Sequence, residues 1–333
     1  MKVLLTGGAG YIGSHTAVEL LERNYEVIII DNFSNSKKDV IDKIKQITKK
    51  DVKLYEGDVR NKDLLHKIFK ENKIDAVIHF AGLKAVGESC QKPLMYYDNN
   101  LISSINLLEV MKEENCKTLV FSSSATVYGK PEKLPIKEDA KLSTSNPYGS
   151  TKLMIEMILQ DLYKADETWN IAILRYFNPI GAHESGLIGE NPKDIPNNLM
   201  PYIVRVATKE YDKLKVFGND YDTKDGTGVR DYIHVVDLAI GHVKAIEYLQ
   251  KEGNLNIFNL GTGEGYSVLE LVKTFEEVNN VEVPYEITER RPGDIDACYA
   301  DPKKANEKLN WKAEKNIKNM CEDSYRFILK NRD

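Results

Sequence analysis

The chain has 333 residues and a net charge of −5; the length predicts two domains, and the charge disfavours non-specific binding to nucleic acid. Four widely spaced cysteines predict neither a disulfide framework nor a zinc site, and they favour a reducing, cytoplasmic location. No apolar run approaches the ~18 residues that span a membrane, so no membrane attachment is expected.

Strands and helices alternate along the first half of the chain, beginning with a predicted strand at Lys2–Thr6. Five further strands are predicted from nearly continuous apolar runs: Glu26–Ile30, Val52–Glu56, Ala76–Phe80, Thr118–Ser122 and Ile171–Arg175. The helices between them are predicted at Tyr11–Glu22, Lys62–Lys70, Leu94–Glu113 and Pro147–Tyr163. This alternation predicts an α/β fold with a doubly wound parallel (Rossmann) sheet covered by helices on both faces.

The pattern changes after Phe177, where we place the boundary between a first domain (1–177) and a second (178–333). Two stretches rich in proline, glycine or polar residues, Asn178–Pro201 and Gly218–Arg230, are predicted to be long loops. Beyond them we predict a helix at Val236–Leu249, a strand at Asn256–Leu260 and a helix at Ser267–Val278. The second domain is expected to be smaller and mixed α/β, with some segments returning to the first.

A glycine-rich loop follows the first strand, with the sequence Thr6-Gly7-Gly8-Ala9-Gly10-Tyr11-Ile12-Gly13. Glycines here let the backbone approach a pyrophosphate, and the following helix N-terminus offers free N–H groups to the phosphates. Asp31 ends the second strand and is expected to bind the adenosine ribose, which favours NAD over NADP. Candidates to line the same site are Asn32, Asn35, Ser36, and the strand-end pairs Asp58-Val59 and Phe80-Ala81 with Gly82.

Tyr148 and Lys152 are four residues apart at the start of a predicted helix and therefore share one face. A tyrosine with a pKa of ~10 is a poor base at pH 7, but an adjacent ammonium and a nicotinamide cation both favour the phenolate. The spacing indicates a catalytic pair because it follows a nucleotide loop and five strands. Ser124, at the end of the fifth strand, is the hydroxyl best placed to contact the phenol or a substrate.

With these motifs in place, the chain resembles the extended short-chain dehydrogenase/reductase family over essentially its whole length. The matching segments include Thr6–Thr16, His79–Ser89, Phe121–Gly129, Tyr148–Lys152, Leu174–Pro179 and Gly226–His234. Within that family the similarity is greatest to nucleotide-sugar epimerases. The resemblance implies NAD-dependent interconversion of UDP-glucose and UDP-galactose at C4, through transient oxidation to a 4-keto sugar.

The resemblance also implies roles for individual residues: Tyr148 is the base for the sugar 4-hydroxyl, Lys152 holds the nicotinamide ribose, and Ser124 contacts the 4-oxygen. Residues expected to line NAD are Gly7, Gly10, Tyr11, Ile12, Gly13, Asp31, Asn32, Asn35, Ser36, Asp58, Val59, Phe80, Ala81, Gly82, Lys84, Asn99, Ser122, Tyr148, Lys152 and Phe177. Residues expected to bind the UDP-hexose are Lys84, Ser124, Tyr148, Asn178, Asn198, Leu199, Val216, Phe217, Arg230, Arg291, Asp294 and Cys298. The two arginines suit a diphosphate because a guanidinium binds phosphate in a bidentate fashion.

Cys298 bears on substrate size. Family members restricted to plain hexoses carry a tyrosine at the matching position, and those that accept N-acetylated hexosamines carry a small residue. The resemblance therefore implies that UDP-N-acetylglucosamine and UDP-N-acetylgalactosamine also interconvert. An alignment shifted by one residue would place Tyr299 there instead.

Several alternatives stand beside the epimerase. A dehydratase of the same family needs acid and base carboxylates at the end of the fifth strand, and Ser122–Gly129 contains none. A nucleotide-sugar dehydrogenase or reductase would exchange its cofactor, and a non-catalytic nucleotide-sugar sensor would not need the Tyr148–Lys152 pair. The resemblance further implies a homodimer through the helices at Leu94–Glu113 and Pro147–Tyr163. No metal is expected, and His79, His234 and His242 are interpreted as packing residues.

Overall fold

The computed structural model describes residues 1–192, 196, 198–291 and 293–332. Strands within these residues are β1 (Lys2–Thr6), β2 (Glu26–Asp31), β3 (Lys53–Glu56), β4 (Ala76–His79), β5 (Thr118–Ser124), β6 (Asn170–Tyr176), β7 (Asn178–Ile180), β8 (Leu214–Phe217), β9 (Val229–Arg230), β10 (Tyr232–His234), β11 (Leu255–Leu260), β12 (Tyr266–Ser267), β13 (Tyr285–Thr288) and β14 (Ala297–Cys298). Helices are α1 (Tyr11–Glu22), α2 (Asp39–Thr48), α3 (Lys62–Asn72), α4 (Val86–Gln91), α5 (Pro93–Tyr97), α6 (Ser103–Glu113), α7 (Pro147–Ala165), α8 (Leu199–Ala207), α9 (Val235–Glu252), α10 (Val268–Asn279), α11 (Lys303–Lys308) and α12 (Ile317–Lys330).

A seven-stranded sheet forms the centre, in the order β11-β6-β5-β4-β1-β2-β3. Every neighbouring pair runs parallel; β1, for example, pairs with β2 on one side and β4 on the other. The chain therefore starts in the middle and winds outward in both directions, which confirms the predicted doubly wound sheet. The carboxyl ends of β1 to β6 meet at one edge, where the sequence places the candidate site.

Both faces of this sheet are buried, and alternate residues of each strand serve the two faces. In β1, Val3 and Leu5 pack in a core with α1 and α9, whereas Leu4 packs with α3, α6 and α7 on the opposite face. The same alternation places Ile29 on the first face and Ile28 on the second. A strand apolar on both sides reads in the sequence as a continuous apolar run, which is why these strands were predictable.

The predicted helix at Leu94–Glu113 is wrong as a single element. The structure has α5, then a π-helical turn at Asp98–Ile102, then α6. The turn aims Asn100 inward: its Oδ1 accepts from Leu83 N at 2.8 Å and its Nδ2 donates to Thr151 Oγ1 at 3.0 Å. Such turns often mark functional positions, and this one ties the loop after β4 to the helix that carries Tyr148.

A third core lies outside the central sheet, where α8, α10 and α12 enclose residues such as Ile203, Phe275 and Met320. Three small sheets surround it, in the orders β10-β7, β12-β9-β14 and β13-β8. These strands are two to four residues long: β7 and β9 lie within the predicted loops and β8 and β10 beside them, whereas β12, β13 and β14 fall where the sequence predicted no strand. This layer matches the expected smaller mixed α/β unit.

The boundary at Phe177 stays a prediction, since the chain crosses between layers more than once. β11 pairs with β6 at the edge of the central sheet, and α9 packs against α1, although both follow residue 177. No helix in the described part of the chain is long and apolar enough to cross a membrane.

Candidate functional site

The glycine loop turns between β1 and α1 with almost no space for side chains. Gly7 has φ +69°, and a Cβ there would come within 2.9 Å of Ala81 N. A Cβ on Gly13 would lie 2.6 Å from Gly7 O. Gly10 is the N-cap of α1 and makes no side-chain cap hydrogen bond, so the helix start presents its backbone. Free backbone N–H groups at a helix start next to a closely packed glycine loop can bind phosphate groups.

Asp31 braces this loop from the end of β2. Its Oδ2 accepts from Ala9 N at 3.0 Å, and its Oδ1 accepts from Phe33 N at 2.8 Å and Ser36 Oγ at 2.9 Å. The carboxylate therefore organises the turn as well as lying where an adenosine ribose is expected. Asn35 is exposed beside it.

An ion-pair chain lies along the part of the sheet edge next to Asp31. Asn32 Nδ2 donates to Asp58 Oδ2 at 3.3 Å, and Arg60 bridges Asp58 and Asp98 at 2.9 and 2.6 Å. Hydrogen bonds from the Arg60 side chain lower the pKa of Asp58. Val59 is buried in the core beside it, so only its backbone can face a ligand.

Lys84, expected to contact both the cofactor and the substrate, and Asn198, expected to contact the substrate, share one carboxylate that the sequence analysis missed. Glu190 Oε1 accepts from Lys84 Nζ at 3.0 Å and from Asn198 Nδ2 at 2.8 Å. Tyr11 lies nearby, donates to Gly181 O at 2.6 Å, and has its pKa raised by burial and by the Glu190 charge. Glu190 stands in a proline- and glycine-rich stretch with no local pattern to mark it.

Tyr148 is the second residue of α7 and is buried, and its phenol lies near the Ser124 side chain at the end of β5. Ser124 Oγ accepts from Thr126 N at 3.2 Å, so it caps a 3₁₀ turn at Ala125–Tyr128. Burial raises the pKa of Tyr148, and the Ser124 side chain lowers it. The structure therefore brings the two residues together, Ser124 on a strand of the central sheet and Tyr148 on a helix packed against that strand.

Lys152 lies one turn further along α7, with Nζ 6.0 Å from the centre of the Tyr148 ring. Nζ donates to Ser122 O at 2.8 Å. Burial lowers the pKa of Lys152 to about 8, and Glu156 opposes that shift. The amine is therefore mostly a cation at pH 7. The Ser122 hydroxyl contacts His242 Nε2 at 2.9 Å, which directs it into the protein and leaves its carbonyl as the group beside Lys152.

Further candidates for the cofactor site pack near Tyr148 and Lys152. Phe80 stacks on His242 with ring centres 4.9 Å apart, and Ala81 N donates to Thr6 Oγ1 at 3.3 Å. Gly82 lies against Asn100, and Asn99 Nδ2 donates to Asn100 Oδ1 at 3.0 Å. Ile12 is half-buried against the first core.

A cluster of arginines lies between β9 and the segment before β14. Arg230 donates from Nη1 to Ile295 O at 2.9 Å and has Nη2 3.9 Å from Asp294. Arg291 pairs with Asp294 at 3.0 Å and stacks over Phe217 at 4.8 Å. We call Phe217, Arg230, Arg291 and Asp294 the arginine subsite. It combines two guanidinium groups with an exposed aromatic ring, which suits a diphosphate attached to a planar base.

Two of the three other substrate candidates offer mainly backbone. Val216 and Leu199 pack in the C-terminal core, and Asn178 N donates to Asp231 O at 3.0 Å while its side chain is exposed. Their side chains therefore contribute less to the site than the resemblance alone implies, except for the amide of Asn178.

Cys298 ends β14 and packs in a small cluster with Phe177 and Val127, against which Ala125 also lies. Tyr299 faces the other way: a Cβ on Gly265 would lie 3.2 Å from its ring. Successive residues of a strand point to opposite sides, so only one of the two can face Phe177, and it is Cys298. Burial raises the pKa of the Cys298 thiol to about 11.

The histidines singled out in the sequence are buried with partners. His79 contacts Thr6 Oγ1 at 2.7 Å and Ser104 Oγ at 2.9 Å, and His234 contacts Asp323 Oδ2 at 3.1 Å. Burial lowers the pKa of His79 to about 3 and that of His242 to about 4. These contacts support their interpretation as packing residues. Across the described residues, no group of three or more His, Cys, Asp or Glu side chains is arranged to hold a metal ion.

Comparison with known proteins supports the resemblance that the sequence motifs indicated. A family model described as GDP-mannose 4,6 dehydratase matches residues 4–324. A UDP-glucose 4-epimerase of Bacillus subtilis is 58% identical over 331 residues, which cover 99% of this chain and 98% of that protein. The chain belongs to the UDP-glucose 4-epimerase family, a branch of the extended short-chain dehydrogenase/reductases.

Solved structures of the UDP-glucose 4-epimerase family superimpose over nearly the whole chain. The enzyme from Bifidobacterium longum, in complex with NAD⁺ and UDP, has a TM-score of 0.97 and 56% identity, covering 99% of both chains. A UDP-Glc/GlcNAc 4-epimerase from Campylobacter jejuni has a TM-score of 0.86 and 36% identity, also covering 99% of both chains. The predicted Rossmann α/β fold is confirmed.

The matching family model is described as a dehydratase, but the residues of the candidate site do not include those that a dehydratase requires. After Ser124 the chain continues with Ala125 and Thr126 at the end of β5, where a dehydratase requires carboxylates. The nearby carboxylate of α7, Glu156, is buried against Arg175 at 2.6 Å and is not available as an acid or base. These residues separate this UDP-glucose 4-epimerase family member from dehydratases.

Proposed function

We infer that the protein interconverts UDP-glucose and UDP-galactose at C4, with NAD as its cofactor. The observation that carries this conclusion is the placement of Ser124 and Lys152 beside the Tyr148 phenol, with Lys152 Nζ 6.0 Å from the ring centre. It lies at the same sheet edge as the glycine loop, in a chain 58% identical to a UDP-glucose 4-epimerase.

The residues of this chain fit NAD. The crowded glycines before α1 leave a surface of backbone for the pyrophosphate, and the Asp31 carboxylate at the ribose end would repel a 2′-phosphate. Lys84, Asn99 and Phe177 lie further along the same edge. NAD⁺ supplies the hydride acceptor for C4 of the sugar and a positive charge near the phenol.

Tyr148 holds and returns the proton of the sugar 4-hydroxyl. In the ligand-free protein burial keeps its pKa high, so the phenol needs positive charge beside it to become a base. Lys152 supplies part of that charge because its amine is mostly protonated below pH 8. Ser124 lies beside the phenol and lowers its pKa, and is placed to contact the 4-oxygen in either configuration.

Epimerisation requires the 4-keto sugar to rotate between the two hydride transfers, so that the hydride returns to the opposite face. The arginine subsite is placed to hold the diphosphate and base, whereas Cys298, Phe177 and Ala125 form an apolar wall. Apolar side chains make no directional hydrogen bonds to a hexose. Firm binding at the nucleotide end and weak contact at the sugar end therefore allow the 4-keto sugar to present both faces.

We further propose that N-acetylated UDP-hexosamines are substrates. Support comes from the side chain at the end of β14: Cys298 is small and faces Phe177, while Tyr299 faces Gly265. A small side chain leaves room for an acetamido group at C2. The similarity to the UDP-Glc/GlcNAc 4-epimerase of Campylobacter jejuni is consistent with this extension.

We also propose that the protein is a homodimer and is located in the cytoplasm. Apolar side chains lie exposed on neighbouring helices: Leu94, Ile102, Met154 and Met157. Exposed methionines and leucines in one region are typical of a protein–protein interface. All four cysteines are free, which fits a reducing compartment.

The deciding experiment incubates the purified protein with UDP-galactose, with and without added NAD, and follows UDP-glucose by chromatography. We expect turnover without added NAD, because an epimerase regenerates its cofactor in each cycle. Tyr148→Phe should lower kcat by roughly 10²–10⁴-fold while UDP still binds. No UDP-glucose even with NAD present refutes the proposal, and NAD binding without turnover would indicate a sensor.

A further inference from the structure

Tyr221 lies in the loop between β8 and β9, close to the arginine subsite. It is 5% exposed, and its hydroxyl oxygen is shielded from solvent. Among the described residues this oxygen has no hydrogen-bond partner. Buried hydroxyls are almost always hydrogen-bonded, since a phenol that loses water without gaining a partner is costly. An orphaned phenol here indicates that a group from outside the chain completes it.

The ring of Tyr221 is held firmly. The Arg290 guanidinium lies 3.9 Å from the ring centre, and Arg290 is itself fixed by Asp220, with Nε 2.6 Å from Oδ1. On another side, a Cβ at Gly218 would come within 2.7 Å of the ring, and Gly218 has φ +82°. Glycine is therefore required for this close approach. The ring is therefore fixed, and the side chains that cover its hydroxyl must move aside before a ligand oxygen can reach it.

The surroundings of the phenol are rich in charge. Tyr221 interacts electrostatically with Asp294, Arg290, Arg230 and Arg291, three of them cations. Burial raises the pKa of Tyr221, so the hydroxyl stays protonated at neutral pH and can donate. A neutral donor fixed among guanidinium groups suits an anionic oxygen acceptor.

We propose that Tyr221 donates a hydrogen bond to a phosphate oxygen of the UDP group and is a binding residue for the substrate. This inference rests on the proposed function, because it requires a nucleoside diphosphate against Arg230 and Arg291. The phosphate does not change during epimerisation, so the bond is equally strong in substrate and transition state. Tyr221 therefore affects KM and leaves kcat unchanged.

Tyr221→Phe tests the assignment because it removes only the hydroxyl and keeps the ring under Arg290. We expect UDP binding, measured by calorimetry, to weaken about tenfold, while uridine binding, measured by competition, stays unchanged. Tyr285→Phe is the matched control: Tyr285 lies on β13, which pairs with β8, and it is half exposed. This control should bind UDP as the wild type does.

UDP affinity of Tyr221→Phe within twofold of the wild type would overturn the proposal. An equal loss of UDP and uridine affinity would also overturn it, since that result indicates a role in loop structure. Turnover by the wild-type protein distinguishes failure of the proposed function from failure of the Tyr221 assignment. A wild type that binds UDP but does not convert UDP-galactose refutes the reaction, and the UDP titration still decides the role of Tyr221.

Discussion

Glu156 on α7 and Arg175 on β6 form a fully buried ion pair, with 2.6 Å between Oε2 and Nη2. Ser123 Oγ donates to the other carboxylate oxygen at 2.5 Å, and Arg175 Nη1 donates to the Tyr128 hydroxyl at 3.0 Å. The network fixes α7 against β5 and β6. It thereby sets the position of Tyr148 and Lys152 relative to the strand end that carries Ser124.

Removing one charge from this pair should destabilise the protein strongly. Glu156→Gln leaves the Arg175 cation buried without a counter-charge, and we expect the free energy of unfolding to fall by roughly 3–5 kcal/mol. Urea denaturation measures the loss. Asp161→Asn, which breaks an exposed pair with Lys164 on the same helix, should cost less than ~1 kcal/mol. Equal losses for the two variants would contradict the role given to the buried pair.

Stability should rise with pH because of Lys152. Burial lowers the pKa of its amine from 10.5 to about 8. Between these values the unfolded chain binds more protons than the folded one, so raising the pH favours the folded state. From pH 7 to 10.5 we expect the free energy of unfolding to increase by about 3 kcal/mol relative to Lys152→Met. Urea denaturation across this range, with Lys164→Met as an exposed control, measures it; a flat difference from Lys152→Met would refute the lowered pKa.

The glycine loop offers a matched pair of substitutions. Gly13→Ala places a Cβ 2.6 Å from Gly7 O and 2.7 Å from Gly8 Cα, so the loop must shift. Gly87→Ala on α4 meets no atom within 4 Å. We expect the first variant to lose NAD during purification and the second to keep it, as measured by absorbance of the released nucleotide. Full NAD content in both would show that the crowded loop does not bind the cofactor.

Substrate range should depend on the side chain at the end of β14. Cys298→Tyr fills the space beside Phe177, and kcat/KM for UDP-N-acetylgalactosamine should fall roughly 100-fold while that for UDP-galactose changes little. Tyr299→Phe, which faces Gly265, should leave both values unchanged. Equal loss of both activities in Cys298→Tyr would refute its role in substrate size.

In solution, the exposed methionines of α7 should be buried against a second copy of the chain. Replacing both Met154 and Met157 by Glu puts two charges into the proposed interface, so the dimer should dissociate. Sedimentation equilibrium should then report one chain mass of 37.8 kDa instead of two. Lys164→Glu, at the far end of the same helix, should leave the dimer intact. A monomeric wild type would contradict the proposal.

The central sheet was predictable because most of its strands are local apolar runs, and β1 and α1 have the predicted bounds. The small sheets were not, because strands as short as β9 form only through pairing with β12 and β14, far along the chain. The same holds in the site. Tyr148 and Lys152 are a local spacing on one helix, whereas the contact of Glu190 with Lys84 and Asn198 joins three distant segments.

The position of β11 at the edge of the central sheet has a consequence for how this protein can be divided. A fragment ending at Phe177 would lack both β11 and α9, so β6 would become an open edge and α1 would lose its cover. Such a fragment has unpaired backbone groups along one side and is prone to associate with other chains. The cofactor-binding half is therefore not expected to fold as an independent unit when it is cut at Phe177.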